Sequence, residues 1–390
     1  MHMAPILTIN SGSSSLKLGL FIERDGEEHI FFDVLADGIG KRNGKLEMRN
    51  AARNIVRSEA LASTTQEQAF HEVARWLGEL EAAEPAAIGH RVVHGGPHLT
   101  MHQRISPEVL DELRRSVHFA PLHIPSALRL IKEAQKIYPK VPHFACVDTA
   151  FHRTLPEAAA RFALPGELFL EGVRRYGFHG LSYESILRRL SQNLPRRVVI
   201  AHLGNGASLV AVENGLSVDT TMGLTPTGGI PMGTRSGDLD PGVLLHLVRT
   251  KQLDADALEG LLNHDSGLVG LSGGTADMRE LQASAHRGSA QAGLAIEIFC
   301  RSIRKTIAAF AAVLHGLDLL VFTGGIGEHS AKVRSSVCDG LDFLGIQLEP
   351  NRNEINAATI STENSSCHVA VIPSEEDREI ARHCRELMHS

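Results

Sequence analysis

Residues 6–21, ILTINSGSSSLKLGLF, alternate apolar and polar positions on both sides of a run of small residues. A period of two predicts strands, and the small run predicts the turn that joins them, at residues 11–15. ERDGEE supplies a second turn and HIFFDVLADG a third strand, so the chain opens with a β-meander. The period then changes. In TTQEQAFHEVARWLGEL, Phe70, Val73, Leu77 and Leu80 fall on one helical face, and Thr64 with Glu67 fits a capping box. AAIGHRVVHGG predicts a strand. Ser106-Pro107 opens a helix with proline at its first position, Ser126 caps another over ALRLIKEAQKIYP, and HFACVDTAF predicts a strand.

The pattern restarts near residue 197. RRVVIAHLGNGASLVAVENGLSVDTT again gives strand, small-residue turn, strand, Asn-Gly turn, strand. Placing Ser15-Leu16 over Ser208-Leu209 brings the two hairpins into step. A long apolar helix, QAGLAIEIFCRSIRKTIAAFAAVLHG, follows with Gly316 as its C-cap, and LDLLVFTGGIGEHS reads as strand, glycine turn and helix start. These features predict a duplicated α/β domain whose copies share a wide interface.

At 390 residues the chain has room for about two or three domains. It is 43% hydrophobic, with a formal net charge of −6, so no global basic field draws it to nucleic acid or membrane. Five cysteines with no CxxC spacing suggest free thiols in a reducing compartment, and no signal peptide or long apolar run is seen, so a cytoplasmic protein is expected. His90 and His94 sit at a strand end ahead of Gly95-Gly96, which does not suit a metal-binding helix.

Four turns rich in small residues, SGSSS, GNGAS, SGGTADMR and TGGIGE, lie at or near the ends of apolar runs. Small residues let backbone N–H groups close around an anion, so four such turns in a duplicated chain suggest a nucleotide between two lobes. The Walker A pattern is absent and no GxGxxG follows the first strand, which disfavours a P-loop and an N-terminal dinucleotide site. Arg91 lies in a strand-like run, Arg235 in a glycine-rich loop, and Asp148 at the end of FACVD. Taken singly, each arginine reads first as half of a structural ion pair. Together with the turns they favour phosphoryl transfer, which needs positioning and charge neutralisation.

TINSGSSSLK, HRVVHGG, VDTAFHRTLP, RYGFHG, AHLGNGAS, PMGTRSGDLDPG and FTGGIGE together resemble the acetate kinase family over essentially the whole chain. The resemblance implies an α/β fold of two duplicated ribonuclease H-like domains, of the actin, Hsp70 and sugar kinase type, flanking a nucleotide cleft. The expected lobes are residues 1–148 plus 378–390, and 149–377. The implied activity is reversible transfer of the ATP γ-phosphoryl to acetate, giving acetyl phosphate and ADP, with Mg²⁺ (or Mn²⁺) and in a homodimer.

The resemblance also implies roles for individual residues. Asn10 and Glu376 would hold the metal, and Lys17 would lie near the ATP phosphates. Arg91 would bind acetate, Asp148 would be the catalytic carboxylate, and His179 and Arg235 would stabilise charge on the transferring group. Val93, Leu122, Phe178 and Pro231 would form the acetate methyl pocket, although the first three read equally as core. His202, Leu203, Gly204, Asn205, Gly206, Asp277, Met278, Arg279, Gly325, Ile326, Gly327, Glu328 and His329 would surround ATP, and His123 would play a supporting part. Ile124, Ala127, His329 and Glu375 replace asparagines of the family pattern. A propionate or butyrate kinase of the same fold is the near alternative, and an actin- or Hsp70-like ATP switch the distant one.

Overall fold

The strands of the opening meander pair in sequence order. A computed structural model describes residues 5–12, 15–41, 43–79 and 84–389, so Ser13, Ser14 and Leu80 lie outside the described residues. β1 (Ile6–Ser11), β2 (Ser15–Arg24) and β3 (Glu27–Asp37) form the meander, extended by β4 (Lys45–Asn50) and β5 (Ile55–Ala60). On the other side of β1 lie β6 (Ala87–Val92), β8 (His143–Val147) and the two-residue β7 (Gln103–Arg104), giving the order β5-β4-β3-β2-β1-β6-β8-β7. The second sheet runs β11-β10-β9-β12-β13, from β9 (Arg197–Leu203), β10 (Ala207–Glu213), β11 (Leu216–Thr220), β12 (Leu319–Thr323) and β13 (His368–Val371). In both sheets the first three strands are antiparallel; β1 then pairs in parallel with β6 and β6 with β8, just as β9 pairs with β12 and β12 with β13. Each unit therefore carries the ribonuclease H-like order, and the fold is a duplication.

The second turns of the two meanders share one solution. Asp25-Gly26 and Asn214-Gly215 are two-residue hairpin loops with positive φ at both positions (55° and 79°, 52° and 81°), which Asp, Asn and Gly tolerate best. The first turns differ in size. Ser11 pairs with Leu16, whereas Leu203 pairs with Ala207. Counting from the last pair of each hairpin sets Asn10 and Lys17 against His202 and Ser208. The alignment of Ser15 with Ser208 was two residues out of step.

Nine helices of this fold bear on the site or on its support: α1 (Gln66–Glu79), α2 (Pro107–Arg115), α3 (Ile124–Ile137), α4 (Gly180–Leu190), α5 (Pro241–Lys251), α6 (Met278–His286), α7 (Ala290–Val313), α8 (Gly324–His329) and α9 (Glu376–Met388). The cap of α1 lies one residue later than expected. Gln68 N–H donates to Thr65 Oγ1 at 3.3 Å, and the Gln68 side chain accepts from Thr64 N–H at 2.9 Å. Helix α3 starts at Ile124, ahead of Ser126, whose hydroxyl instead donates to Gln66 Oε1. Helix α7 has Leu314 as its C-cap, His315 follows in the left-handed region (φ 56°), and Gly316 N–H returns to Ala311 O at 2.8 Å, so the cap lies ahead of Gly316.

The chain divides into two compact units, one holding Met1–Phe151, Gly180–Ser185 and Glu375–Ser390, the other His152–His179 and Ile186–Ser374. Residues 149–151, 180–185 and 375–377 therefore belong with the first unit, not the second. The physical reason for 180–185 is local. Gly180 N–H donates to Asp148 O at 3.0 Å, and Leu181 packs in a buried cluster with Ile6, Phe144 and Ile380.

In the first unit, α1 and α3 cover one sheet face through Phe70, Val73, Trp76, Leu130 and Ala134. Helix α9 covers the other through Ile380, Ala381 and Cys384. That packing depends on Gly89 of β6, where an added Cβ would lie 2.4 Å from Ile380 Cγ2 and 2.6 Å from Cys384 Sγ. Gly89→Val should destabilise the fold by about 1–3 kcal/mol or more by lifting α9 from the sheet. Thermal melts check this, and an unchanged melting temperature would contradict the close packing.

Candidate active site

In the first unit, the parallel pairing of β6 and β8 sets Val92 beside Val147, so Arg91 and Asp148 emerge at adjacent strand ends. Asp148 Oδ2 accepts from Arg91 Nε at 3.0 Å and Nη2 at 2.6 Å. Arg91 Nη1 donates to Asn10 Oδ1 at 3.0 Å, and Asn10 Nδ2 donates to Glu376 Oε2 at 3.2 Å and Asp377 Oδ1 at 3.1 Å. Lys17, paired with Asn10 across the hairpin, forms an ion pair with Asp377. Asp377 was not among the residues expected from sequence. It adjoins Glu376 on the first turn of α9, and its buried carboxylate joins Lys17 to Asn10.

Burial raises the Asp148 carboxyl above the usual carboxylate range, while the charge and hydrogen bonds of Arg91 pull it down. Burial lowers the Arg91 pKa, but Asp148 and Glu376 more than offset this and raise it overall. The charge of Asp377 raises Lys17 against the opposing effect of burial. Asp148 Oδ1 is buried without a hydrogen-bond partner. A buried acceptor of this kind calls for a donor or cation brought by a ligand. Asn10, Glu376 and Asp377 offer only oxygen acceptors, which suits a hard divalent cation.

Arg91 also lines a cavity of about 630 Å³ together with Ser11, Gly12, Val93, Leu122 and His123. Leu122 is 48% exposed, which removes the reading of it as plain core, and Val93 is half-buried. Phe178 is 1% exposed and is core in the second unit. Pro231, also in the second unit, lines a different cavity of about 590 Å³ with Asp219, Arg301 and Lys305.

In the second unit, His179 adopts a left-handed conformation (φ 59°) just ahead of α4. Its Nδ1 is hydrogen-bonded to Ser208 Oγ at 2.8 Å, and its ring stacks on His202 with centroids 4.4 Å apart. A Cβ added at Gly206 would lie 3.2 Å from His179 Nε2 and 3.8 Å from Arg235 Nη1. The hairpin turn thus brings His179, His202, Gly206 and Arg235 together. The Arg235 loop packs onto the same turn through Gly233 N–H to Asn205 O at 2.9 Å, and Arg235 Nη1 donates to Pro226 O at 3.1 Å.

The remaining nucleotide candidates separate by environment. Leu203 and Met278 are buried, whereas Asn205, Gly325 and His329 are exposed. Asp277 caps α6 through Arg279 N–H at 2.8 Å and pairs with the Arg279 guanidinium at 2.6 Å. Its carboxyl is held at about 2, chiefly by the Arg279 hydrogen bond. Strand β12 runs directly into α8 at Gly324, whose positive φ of 75° and approach to Leu203 O (2.8 Å from an added Cβ) exclude other residues. Ile326 and Gly327 lie within this one-and-a-half-turn helix. Glu328 turns back, its Oε1 accepting from Gly324 N–H at 3.0 Å and Ser374 N–H at 3.2 Å, so its side chain braces the turn. The fully buried Arg334 holds the other end, donating to Gly327 O and Glu328 O at 2.8 and 3.0 Å.

Residues 5–382 match the model of the acetokinase family. The chain belongs to that family. It is 43% identical to an acetate kinase of Methylocella silvestris, over 98% of each chain, and 42% identical to one of Streptomyces coelicolor, over 98% of this chain and 96% of the other. Among solved structures it resembles a Porphyromonas gingivalis acetate kinase (34% identity, TM-score 0.88) and a Francisella tularensis propionate kinase (35% identity, TM-score 0.91), covering 99% of this chain and 100% of each of those.

Ser208 is a second site residue that sequence reasoning passed over. Its signal was its place in the second hairpin, at the position that Lys17 fills in the first. Ser208→Ala should lower kcat about two- to tenfold, the worth of one neutral hydrogen bond holding the His179 ring, without altering the circular dichroism spectrum. Wild-type kcat would show that the ring is held by other means.

Proposed function

We propose that this chain catalyses the reversible transfer of the ATP γ-phosphoryl to acetate. Family membership supports that reaction, and the observation that carries the site assignment is the partly buried Asn10–Arg91–Asp148–Glu376 network beside a cavity with an apolar wall. Acetate is already ionised at neutral pH, so no general base is needed. An acetate oxygen attacks the γ-phosphorus in line, and the bond to the β,γ-bridging oxygen breaks with its electron pair leaving on ADP. Arg91 orients the acetate carboxylate and offsets its charge. Asp148 orients Arg91 in turn and contributes to the electrostatics of the metal shell. His179 and Arg235 supply donors to the equatorial oxygens of the transferring group. Asn10 and Glu376, with Asp377 beside them, are the residues that would hold Mg²⁺ or Mn²⁺. The ion would neutralise charge on the β- and γ-phosphates.

Acyl-chain preference is the finer question, because one methylene in an apolar pocket is worth only about 1–3 kcal/mol. We assign acetate over propionate and butyrate on the family match. Comparing kcat/KM for the three acids tests this, and a clear preference for butyrate would overturn it. Arg91→Ala and Arg235→Ala should each lower kcat about 10²–10³-fold or more, as loss of a transition-state donor does. Asp148→Asn should be similarly crippled, and full activity in it would remove Asp148 from the mechanism.

The proposed assembly is a homodimer. Helix α5 has no buried residue although its sequence is PGVLLHLVRTK, and Val243, Leu245 and Val248 are each more than 40% exposed. An apolar helix left open in this way suits burial against a second copy. A monomer mass in sedimentation equilibrium would contradict it. All five cysteines are buried free thiols, and no helix among the described residues is long and apolar enough to cross a membrane. These features, with the need for ATP, suit the cytoplasm.

A further inference from the structure

Val147 ends β8, one residue before Asp148. Asp148 N–H bonds to Val92 O at 2.9 Å on the β6 side, so the Val147 N–H faces the opposite edge. Strand β7 covers that edge only at Phe144 and Ala145 and stops short of Val147. The missing acceptor is a side chain. His102, immediately before β7, accepts the Val147 N–H at Nδ1, 3.0 Å away. A buried N–H without such a partner would carry its full desolvation penalty.

Accepting at Nδ1 fixes the His102 tautomer, with the ring proton on Nε2. That nitrogen lies 3.3 and 3.2 Å from the two Glu184 carboxylate oxygens and donates to them. Glu184 Oε2 also accepts from His383 Nε2 at 3.0 Å, and the two imidazole rings lie 4.0 Å apart. Two histidines and a carboxylate with ligating atoms within 4.8 Å of one another could hold a transition metal. The tautomer argues against it. A metal would need the Nε2 lone pair, and with Nδ1 already accepting a backbone N–H the ring would have to lose its one N–H proton and become imidazolate. The cluster is a hydrogen-bonded chain.

Its charges suit that role. Burial lowers the His383 pKa, but hydrogen bonds to Glu184 and Glu386 and the Glu184 charge lift it to about 10. Burial raises Glu184, but the two histidines hold it at about 2. The groups facing His383 are Glu184 on α4, His102 on the loop, Cys146 on β8, and Glu379 and Glu386 on its own helix at 3.6 and 3.7 Å. Arg382 in turn pairs with Glu379. The Glu184 contribution is complete above its ordinary value of 4.5 and is lost as pH falls towards 2. The His383 contribution is complete below 6.5 and is lost as pH rises through about 10.

We propose that His102, Glu184 and His383 form a latch that positions Asp148, with His102 holding the Val147 N–H and the Glu184–His383 pair holding the His102 ring. The latch rests on the reading of Asp148 as the catalytic carboxylate. Its members are positioning residues, since each acts through Val147. It also joins the three segments that carry Asp148, Glu376 and the start of α4.

Two His102 variants separate the two ring nitrogens. His102→Asn keeps an acceptor near the Nδ1 position and loses the reach to Glu184. His102→Gln keeps that reach and loses the acceptor. With the holoenzyme, His102→Asn should keep kcat within about threefold, and His102→Gln should lose about tenfold or more with the KM for ATP unchanged. Hydrogen exchange at the Val147 amide should quicken in His102→Gln alone. Equal kcat in the two variants would overturn the latch, as would stoichiometric zinc in the purified protein. Full activity in Asp148→Asn would bring down the reading of Asp148. An inactive Asp148→Asn with indistinguishable His102 variants would bring down the latch alone.

Discussion

The Arg91–Asp148 pair is the interaction on which the first unit's site depends. Both groups are placed by backbone register, at the carboxyl ends of adjacent parallel strands, where open α/β sheets present ligands. Removing both charges from water is costly, and buried ion pairs often contribute no more stability than apolar residues of the same volume. Stability alone therefore does not explain the pair. It accounts for one oxygen of Asp148 and leaves the other buried without a donor. It also orders Asn10, and through Asn10 the two acids that begin α9. Loss of Arg91 would leave the buried Asp148 carboxylate without its ion-pair partner.

Duplication gives the two units one scaffold and two chemistries. The hairpin positions filled by Asn10 and Lys17 in the first copy are filled by His202 and Ser208 in the second. The first pair engages carboxylates; the second stacks on and hydrogen-bonds to His179. The same strand order thus presents a metal-type oxygen set in one unit and a set of neutral and cationic donors in the other. Phosphoryl transfer requires both kinds of group.

Much of this was legible in the chain. Period-two runs and the Asp-Gly and Asn-Gly turns disclosed both meanders, because those turns have few alternatives. KLEMRN and IVRSEA were missed as strands since they carry little apolar alternation, and β5 lies almost wholly exposed at a sheet edge. Ser126 looked like a cap because local pattern cannot show a bond to Gln66, sixty residues away. The charged residues Arg91, Asp148 and Arg235 stood out against apolar or glycine-rich surroundings. Asp377, Ser208 and the His102–Glu184–His383 chain did not, because each acts through a contact distant in sequence. Glu328 shows the converse. Its motif was visible, but its side chain braces the turn that carries it.

The central claim is that these groups serve transfer to a carboxylate. The most direct measurement is trapping of acyl phosphate by hydroxylamine, with ATP, acetate and a divalent cation supplied together and each withheld in turn. The account predicts acetohydroxamate only when all three are present. ADP release that proceeds equally without acetate, with no hydroxamate formed, would contradict it.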